Sequence, residues 1–181
     1  MERRRGAELE AGLLDAAWDE LMESGYSALT MEAVAARAKT GKQVLYRRWK
    51  NRAELVLAAM RHRTGSITDD VPDTGSLRSD VLAVLQRMAD RFESIGPDVI
   101  HGLLAEAPDL DPEVFTRMSP VMATIVRRAA ARGEIPTADL PARVLTAPAN
   151  LLRHEMLLTR GPLSEETLTS LVDDVFLPLV T

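Results

Sequence analysis

Apolar residues recur along this chain at intervals of three and four, and no long stretch alternates apolar with polar positions. That period belongs to amphipathic helices, so the pattern predicts an all-α protein. Leu9, Leu13, Ala17 and Leu21 form one stripe, widened by Leu14 and Trp18, and predict a first helix over residues 7–24. Gly25 ends it, because glycine enters the left-handed conformation without a Cβ penalty. Thr30 suits an N-cap, with Glu32 placed where the helix dipole favours an acid. A second helix follows over 31–38, with Val34, Ala35 and Ala38 facing inward. Thr40 and Gly41 break the pattern. A third helix is predicted over 42–49, anchored by Leu45 and Trp49, four residues apart on its inner face. Lys50-Asn51 is turn chemistry. The fourth helix, over 52–63, repeats Leu55, Ala59 and Met60 at helical spacing.

Residues 64–76 are rich in Gly, Ser, Thr and Asp and read as a linker. Beyond it the pattern predicts helices near 76–95, 98–106, 112–132, 139–160 and 164–179, about nine in all. The predicted organisation is a helix-turn-helix domain at 1–63, a linker at 64–76 and a helical bundle at 77–181. Most prolines fall at helix edges, whereas Pro120 and Pro148 fall inside predicted helices and predict kinks there.

Composition narrows the function. With aromatics at only 4%, the core must rest on Leu, Val, Ala and Met. The absence of cysteine excludes a disulfide scaffold, a thiol redox centre and Cys-ligated zinc. No apolar run approaches the ~18 residues a membrane span needs, and no secretory segment opens the chain. These readings predict a cytoplasmic protein with no membrane partner. Charge is unevenly spread: +3 over residues 1–63 and −8 over residues 64–181, for a net −5. Residues 37–52 hold seven basic side chains and no acid. Such a patch on an acidic chain needs an anionic partner, and nucleic acid is the commonest. The order helix, tight turn, basic helix is that of a helix-turn-helix.

A major groove about 12 Å wide admits one helix, whose exposed N-terminal residues reach base edges. Lys42 and Arg48 suit guanine O6 and N7, Gln43 suits adenine, and Val44 suits a thymine methyl. Gly41 and Arg47 lie on or beside the same accessible part of the helix. Tyr46, Lys50 and Arg52 are better phosphate partners. The segment Arg3-Arg4-Arg5 reads either as an arm for the minor groove or as a disordered tail.

Residues 26–57 resemble the TetR/AcrR-type repressor family. The likeness is carried by Leu29-Thr30, Val34-Ala35 and Ala38, Leu45-Tyr46, Trp49 and Leu55, within a pattern covering residues 9–60. It implies a homodimeric transcriptional regulator that binds a pseudo-palindromic operator in double-stranded DNA. It also implies that Lys42, Gln43, Val44, Tyr46 and Arg48 touch DNA, and that Thr30 and Arg52 meet phosphates. Two positions depart from the family, which places Gly at Lys39 and Val at Thr40. Either Lys39 takes a left-handed backbone at a cost on the order of 1 kcal/mol, or Gly41 absorbs that position. Lys39 also adds a positive charge beside the DNA backbone.

For the C-terminal part the resemblance implies a dimer interface and a small-molecule pocket. Dimer candidates are Leu151, Glu155 and Leu158, followed by Leu168, Leu171, Val172, Val175, Phe176 and Leu179, whose 3–4 spacing suits either a partner helix or the chain's own core. Met88, Phe92, Leu104, Phe115, Met118 and Met122 could line an adaptable apolar cavity. His101, Asn150, Arg153 and His154 are polar residues in otherwise apolar stretches that could orient a ligand. The expected ligand is therefore small and largely apolar. The alternative is a DNA-binding regulator with no small-molecule inducer. An α-helical enzyme is the remote alternative: there is no Gly-x-Ser-x-Gly, P-loop or Gly-x-Gly-x-x-Gly, and the three histidines are scattered. No catalytic residue, metal or cofactor is expected.

Overall fold

The computed structural model describes residues 2–65, 70–106, 118–159 and 161–181, with side chains from Gly6 onward. The described residues form nine helices and no strand. The chain divides into two compact units: Met1–Ser66 with Asp98–Leu110, and Ile67–Pro97 with Asp111–Thr181. Of the described residues after 77, residues 98–106 group with the N-terminal helices.

The first unit holds α1 (Glu2–Ser24), α2 (Met31–Arg37), α3 (Lys42–Tyr46) and α4 (Arg52–Thr64). All of α6 (Pro97–Ala105) except Pro97 also belongs to it. α1 packs along α4 and against α2, and α2 against α3. The contact surfaces are small and apolar: Leu13, Ala17 and Leu21 from α1, Val34 and Ala35 from α2, Leu45 from α3, and Ala53, Leu55, Val56 and Ala59 from α4. Alanine here lets helix backbones approach closely. Leu9, by contrast, is exposed, so the inward stripe of α1 starts at Leu13. The helix itself begins at Glu2, and the backbone of residues 3–5 is helical rather than a loose arm or tail.

Caps fix the helix starts. The Thr30 hydroxyl accepts from the Ala33 N–H at 3.1 Å, and the Asn51 carboxamide accepts from the Glu54 N–H at 2.8 Å. Glu54 answers by accepting from the Lys50 N–H at 2.8 Å, in the manner of a capping box. α3 is shorter than its pattern predicts. After Tyr46 the chain tightens, with the Arg48 and Trp49 N–H groups both donating to the Leu45 carbonyl. Trp49 is buried within that turn, and Asn51 is freed to start α4.

The second unit holds α5 (Leu77–Ile95), α7 (Met118–Arg132), α8 (Ala142–Leu158) and α9. α9 has three consecutive parts: an α-helical Glu165–Ser170, a π-helical Leu171–Phe176 and an α-helical Leu177–Val180. Its core joins Val81, Val84, Leu85 and Phe92 of α5 with Met122, Ile125 and Val126 of α7, Ala149 and Leu152 of α8, and Leu168, Val172 and Phe176 of α9. Asp80 is fully buried beneath it. Its carboxylate accepts from the Thr74 N–H at 2.6 Å and the Thr74 hydroxyl at 2.8 Å, and pairs with Arg132 at 3.4 Å. Pro120 is the third described residue of α7. Pro148 lies inside α8, which continues through it. Pro178 lies two residues beyond the π-helical turn, where the intervening Leu177 N–H reaches back five residues to Val172. A proline inside a helix removes one backbone bond and crowds the carbonyl four residues back, and a wider turn ahead of Pro178 relieves that clash.

Candidate nucleic-acid interface

The turn between α2 and α3 decides how α3 is presented. The Thr40 N–H donates to the Ala35 carbonyl at 2.9 Å and the Lys39 N–H to the Ala36 carbonyl at 3.1 Å. This is a Schellman ending, and its left-handed position is Lys39, at φ +52°. Of the two possibilities for this turn, the first is realised. Gly41 has an ordinary extended backbone, φ −80° and ψ 142°, and serves as the N-cap of α3.

Emerging from this turn, α3 keeps Leu45 fully buried and Trp49 nearly so. Gly41, Lys42, Gln43, Tyr46, Arg47, Arg48 and Lys50 are exposed, and Thr40 and Val44 are half-buried. The inner anchors thus turn the remaining positions toward solvent. The structure sorts the seven basic residues by their partners. Arg37 is held by Glu20 at 2.8 Å and by Glu23, and both carboxylates raise its pKa. Lys42 lies 3.5 Å from Glu32, with both side chains mostly in solvent, and Lys50 lies 4.0 Å from Glu54. Arg48 donates to the Val44 carbonyl at 3.1 Å, a good place for a cation at a helix end. Among the described residues, no carboxylate pairs with Lys39, Arg47 or Arg48. These three and Lys42 form the surface that an anion can approach.

Arg52 is engaged elsewhere. Its guanidinium pairs with Glu106 at 2.9 Å (Nε) and 2.5 Å (Nη2), donates to the Leu29 carbonyl at 3.2 Å, and stacks 4.8 Å above the Tyr26 ring. The Tyr26 hydroxyl donates to the other Glu106 oxygen at 3.0 Å. Arg52, and then the Tyr26 hydroxyl, hold the Glu106 carboxyl below its ordinary pKa. Burial, followed by Glu106, pushes the Tyr26 phenol up. The partnership closes over 54 residues of sequence, and no local pattern announces Glu106 or Tyr26.

The candidates for ligand contact do not gather in one unit. Met88, Phe92, Met118 and Met122 are buried in the second unit, whereas the half-buried His101 and Leu104 belong to the first. Phe115 lies outside the described residues. On α8, Asn150 and His154 are exposed, and Arg153 is half-buried and donates to the Asn150 carbonyl oxygen at 2.6 Å. Burial lowers the Arg153 pKa. An open depression on α9 is lined instead by Glu165, Glu166, Thr169, Ser170, Asp173 and Asp174. The dimer candidates also divide. Leu168, Leu171, Val172 and Phe176 are buried within their own unit, Glu155 and Val175 are half-buried, and Leu151, Leu158 and Leu179 are exposed. Among the described residues, no helix is long and apolar enough to cross a membrane.

Comparison with known proteins supplies the context for this geometry. Residues 13–59 match the family described as bacterial regulatory proteins, tetR family, and residues 71–175 match the tetracyclin repressor-like C-terminal domain. A DNA-binding transcriptional repressor TetR from Mycobacteroides abscessus is 33% identical, over 97% of this chain and 96% of its own length. An HTH-type transcriptional regulator of Mycobacterium tuberculosis, itself uncharacterised, is 32% identical over 89% and 82%. Among solved structures, a TetR family transcription regulator at 25% identity superposes with a TM-score of 0.70, covering 93% of this chain and 97% of its own. A tetR-family regulator from Streptomyces coelicolor, 20% identical, shares the fold with a TM-score of 0.58 over 93% and 78%.

Proposed function

Since the chain belongs to the tetR family of bacterial regulatory proteins, and so is a DNA-binding transcriptional regulator and not an enzyme, we propose that it is a homodimeric repressor of the cytoplasm. In this reading it holds a pseudo-palindromic operator and is released by a small apolar ligand. One observation carries the DNA reading. α3 is anchored inward by Leu45 and Trp49, while Lys39, Lys42, Arg47 and Arg48 face solvent around it. Lys42, Gln43, Val44 and Arg48 then read bases, while Thr30, Lys39, Thr40, Gly41, Tyr46, Arg47, Lys50 and Arg52 flank or contact the backbone. A single short helix reads few bases, so two copies related by a two-fold axis would read half-sites about one helical turn apart or a multiple of it.

The exposed Leu151 and Leu158 support the dimer. They are seven residues apart on α8 and therefore on one side of it. The exposed Leu179 of α9 adds a third apolar group needing cover. The ligand reading rests on Met88, Phe92, Met118 and Met122, adaptable side chains inside the second unit. Release requires that a ligand bind the DNA-incompatible pose more tightly than the DNA-compatible one. A regulator without an inducer is favoured by the same residues, because Phe92 and Met122 are already fully packed as core.

Genome-wide footprinting with the purified protein tests the DNA reading. The expected result is a two-fold site whose binding weakens steeply with salt. Failure to find selective, salt-sensitive sites would overturn it. Native mass spectrometry of the purified protein separates the ligand readings: a bound apolar small molecule supports the inducible repressor, and a bare dimer supports the other.

A further inference from the structure

We infer that the Glu106 carboxylate is an intramolecular competitor of DNA phosphate for Arg52, so that the α6 end acts as an autoinhibitory contact on the DNA-binding unit. The inference rests on the DNA-binding reading above. It adds a regulation that the basic run alone does not suggest.

Guanidinium recognises a carboxylate and a phosphate with the same planar fork of donors. Glu106 takes two of those donors, Nε and Nη2, on one oxygen. The third nitrogen, Nη1, faces the Leu29 carbonyl. In this arrangement Arg52 has little left for another anion. The pair is nevertheless open to replacement. About a third of the Arg52 side chain and a quarter of that of Glu106 remain in solvent. Arg52 also stands where phosphate would find other donors. It is the first residue of α4, next to the Asn51 cap, and its Leu29 contact adjoins Thr30, the exposed cap of α2.

The Glu106 side of the contact is held by a close fit. A Cβ added at Gly102 would stand 2.2 Å from Tyr26 Cδ1, so only glycine lets α6 sit against that ring. The Tyr26 hydroxyl then holds the second Glu106 oxygen. Tyr26 thereby lies between Arg52, stacked on its face, and Gly102 at its edge. Separating α6 from Tyr26 would withdraw Glu106 and leave the Arg52 fork free while its stacking partner stays in place.

A salt titration of fluorescence anisotropy on a labelled, mixed-sequence 40-base-pair duplex tests the competition, because phosphate contacts do not depend on sequence. The full chain is compared with Glu106→Gln, Arg52→Ala and the double variant. Glu106→Gln is expected to bind roughly 3–10-fold tighter near 0.1 M salt. Its plot of log affinity against log salt should steepen by about 0.9 for each Arg52 that gains a phosphate. Both gains should vanish in the Arg52→Ala background, which separates competition from the mere loss of a distant negative charge. Gly102→Ala, which displaces α6 but keeps the carboxylate, should shift affinity and slope the same way. Unchanged or weaker binding by Glu106→Gln and Gly102→Ala, with an unaltered slope, would overturn the inference. A wild-type chain that fails to bind duplex DNA at all would defeat the DNA reading instead.

Discussion

In the first unit, Lys39, Arg47 and Arg48 end in solvent with no carboxylate paired to them among the described residues. In the second unit several arginines are committed. Arg78 closes on Asp173 at 2.7 Å, Arg87 on Asp70 at 3.0 Å, and Arg132 meets Asp73, Asp80 and Glu134. Arg128 adds a bond to the Pro72 carbonyl at 3.0 Å. The same side chain thus serves two ends. Where carboxylates are in reach, its charge ties helices and loops together. Where none is, the charge is left for a partner. The presence of many arginines says little by itself, and the supply of nearby acids decides which use prevails. In the first unit Arg52 is committed by one carboxylate and Arg37 by two, beside cations that have none.

The widest separation between the two uses should appear on removing a buried acid. Asp80→Ala leaves Arg132 and two Thr74 donors without their shared acceptor, and should cost about 3 kcal/mol of stability while leaving the DNA affinity of the folded protein unchanged. Urea unfolding followed alongside anisotropy would show this, and a parallel loss of DNA affinity would blur the contrast. Arg48→Ala should do the reverse. Operator binding is expected to weaken by about 1–3 kcal/mol, with unfolding midpoints unmoved within error.

Lys39 sharpens the comparison further, because its charge and its backbone oppose each other. Lys39→Gly relieves the left-handed strain at φ +52° and should raise stability by up to about 1 kcal/mol. It should also lower DNA affinity modestly and reduce the salt slope. Lys39→Asn, which also tolerates that backbone, should reproduce the loss of affinity. α7 supplies the reference for this turn: it closes with the same pair of hydrogen bonds, but its left-handed residue is Gly133, at φ +78°.

The smallest effect concerns acid. Glu106, Glu134 and Asp173 all have folded-state pKa values below their ordinary ones. The causes are Arg52 for Glu106, the Leu77 N–H and then Arg132 for Glu134, and Arg78 for Asp173. A depressed folded pKa contributes stability that is fully present above the unfolded value and lost as pH falls through the folded one. The contribution of these three groups should therefore be constant from about pH 5 upward and decline below about pH 4. Arg78→Ala should flatten the part of that decline that belongs to Asp173. Thermal melts across that window would measure it, and an unchanged acid limb would exclude the pair as a contributor.

How much of this was legible in sequence depended on range. Periodicity located the helices because each buried face repeats within one element, as with Leu13, Ala17 and Leu21. The cap at Thr30 acts over three residues, so its chemistry was visible, and Lys50-Asn51 was visible as a turn though not as the cap of α4. The basic run and its anchors Leu45 and Trp49 lie within one local stretch. The Arg52 partnership did not show, because Glu106 and Tyr26 meet it only after the chain has folded back. The grouping of residues 98–106 with the first unit was hidden for the same reason. On α9, a 3–4 reading did not pick out Val180, which the structure buries beside the exposed Leu179. Regular spacing assumes a regular helix, and this one is not regular.

That irregularity bears on how the chain tolerates changes in length. Leu168, Val172, Phe176 and Val180 are all buried at strict intervals of four. In a pure α-helix each such step overshoots a full turn by about 40°, so the four would wander roughly 120° around the axis. The broader turn over Leu171–Phe176 winds the overshoot back. Counted this way, α9 is an ordinary core helix carrying one supernumerary residue. Loss of a single codon between 173 and 175, together with Pro178→Ala, should leave all four side chains facing inward. The same deletion in α5 would turn everything after it by about 100° and scatter its core. Near its end, the reading frame of this protein has slack of one amino acid.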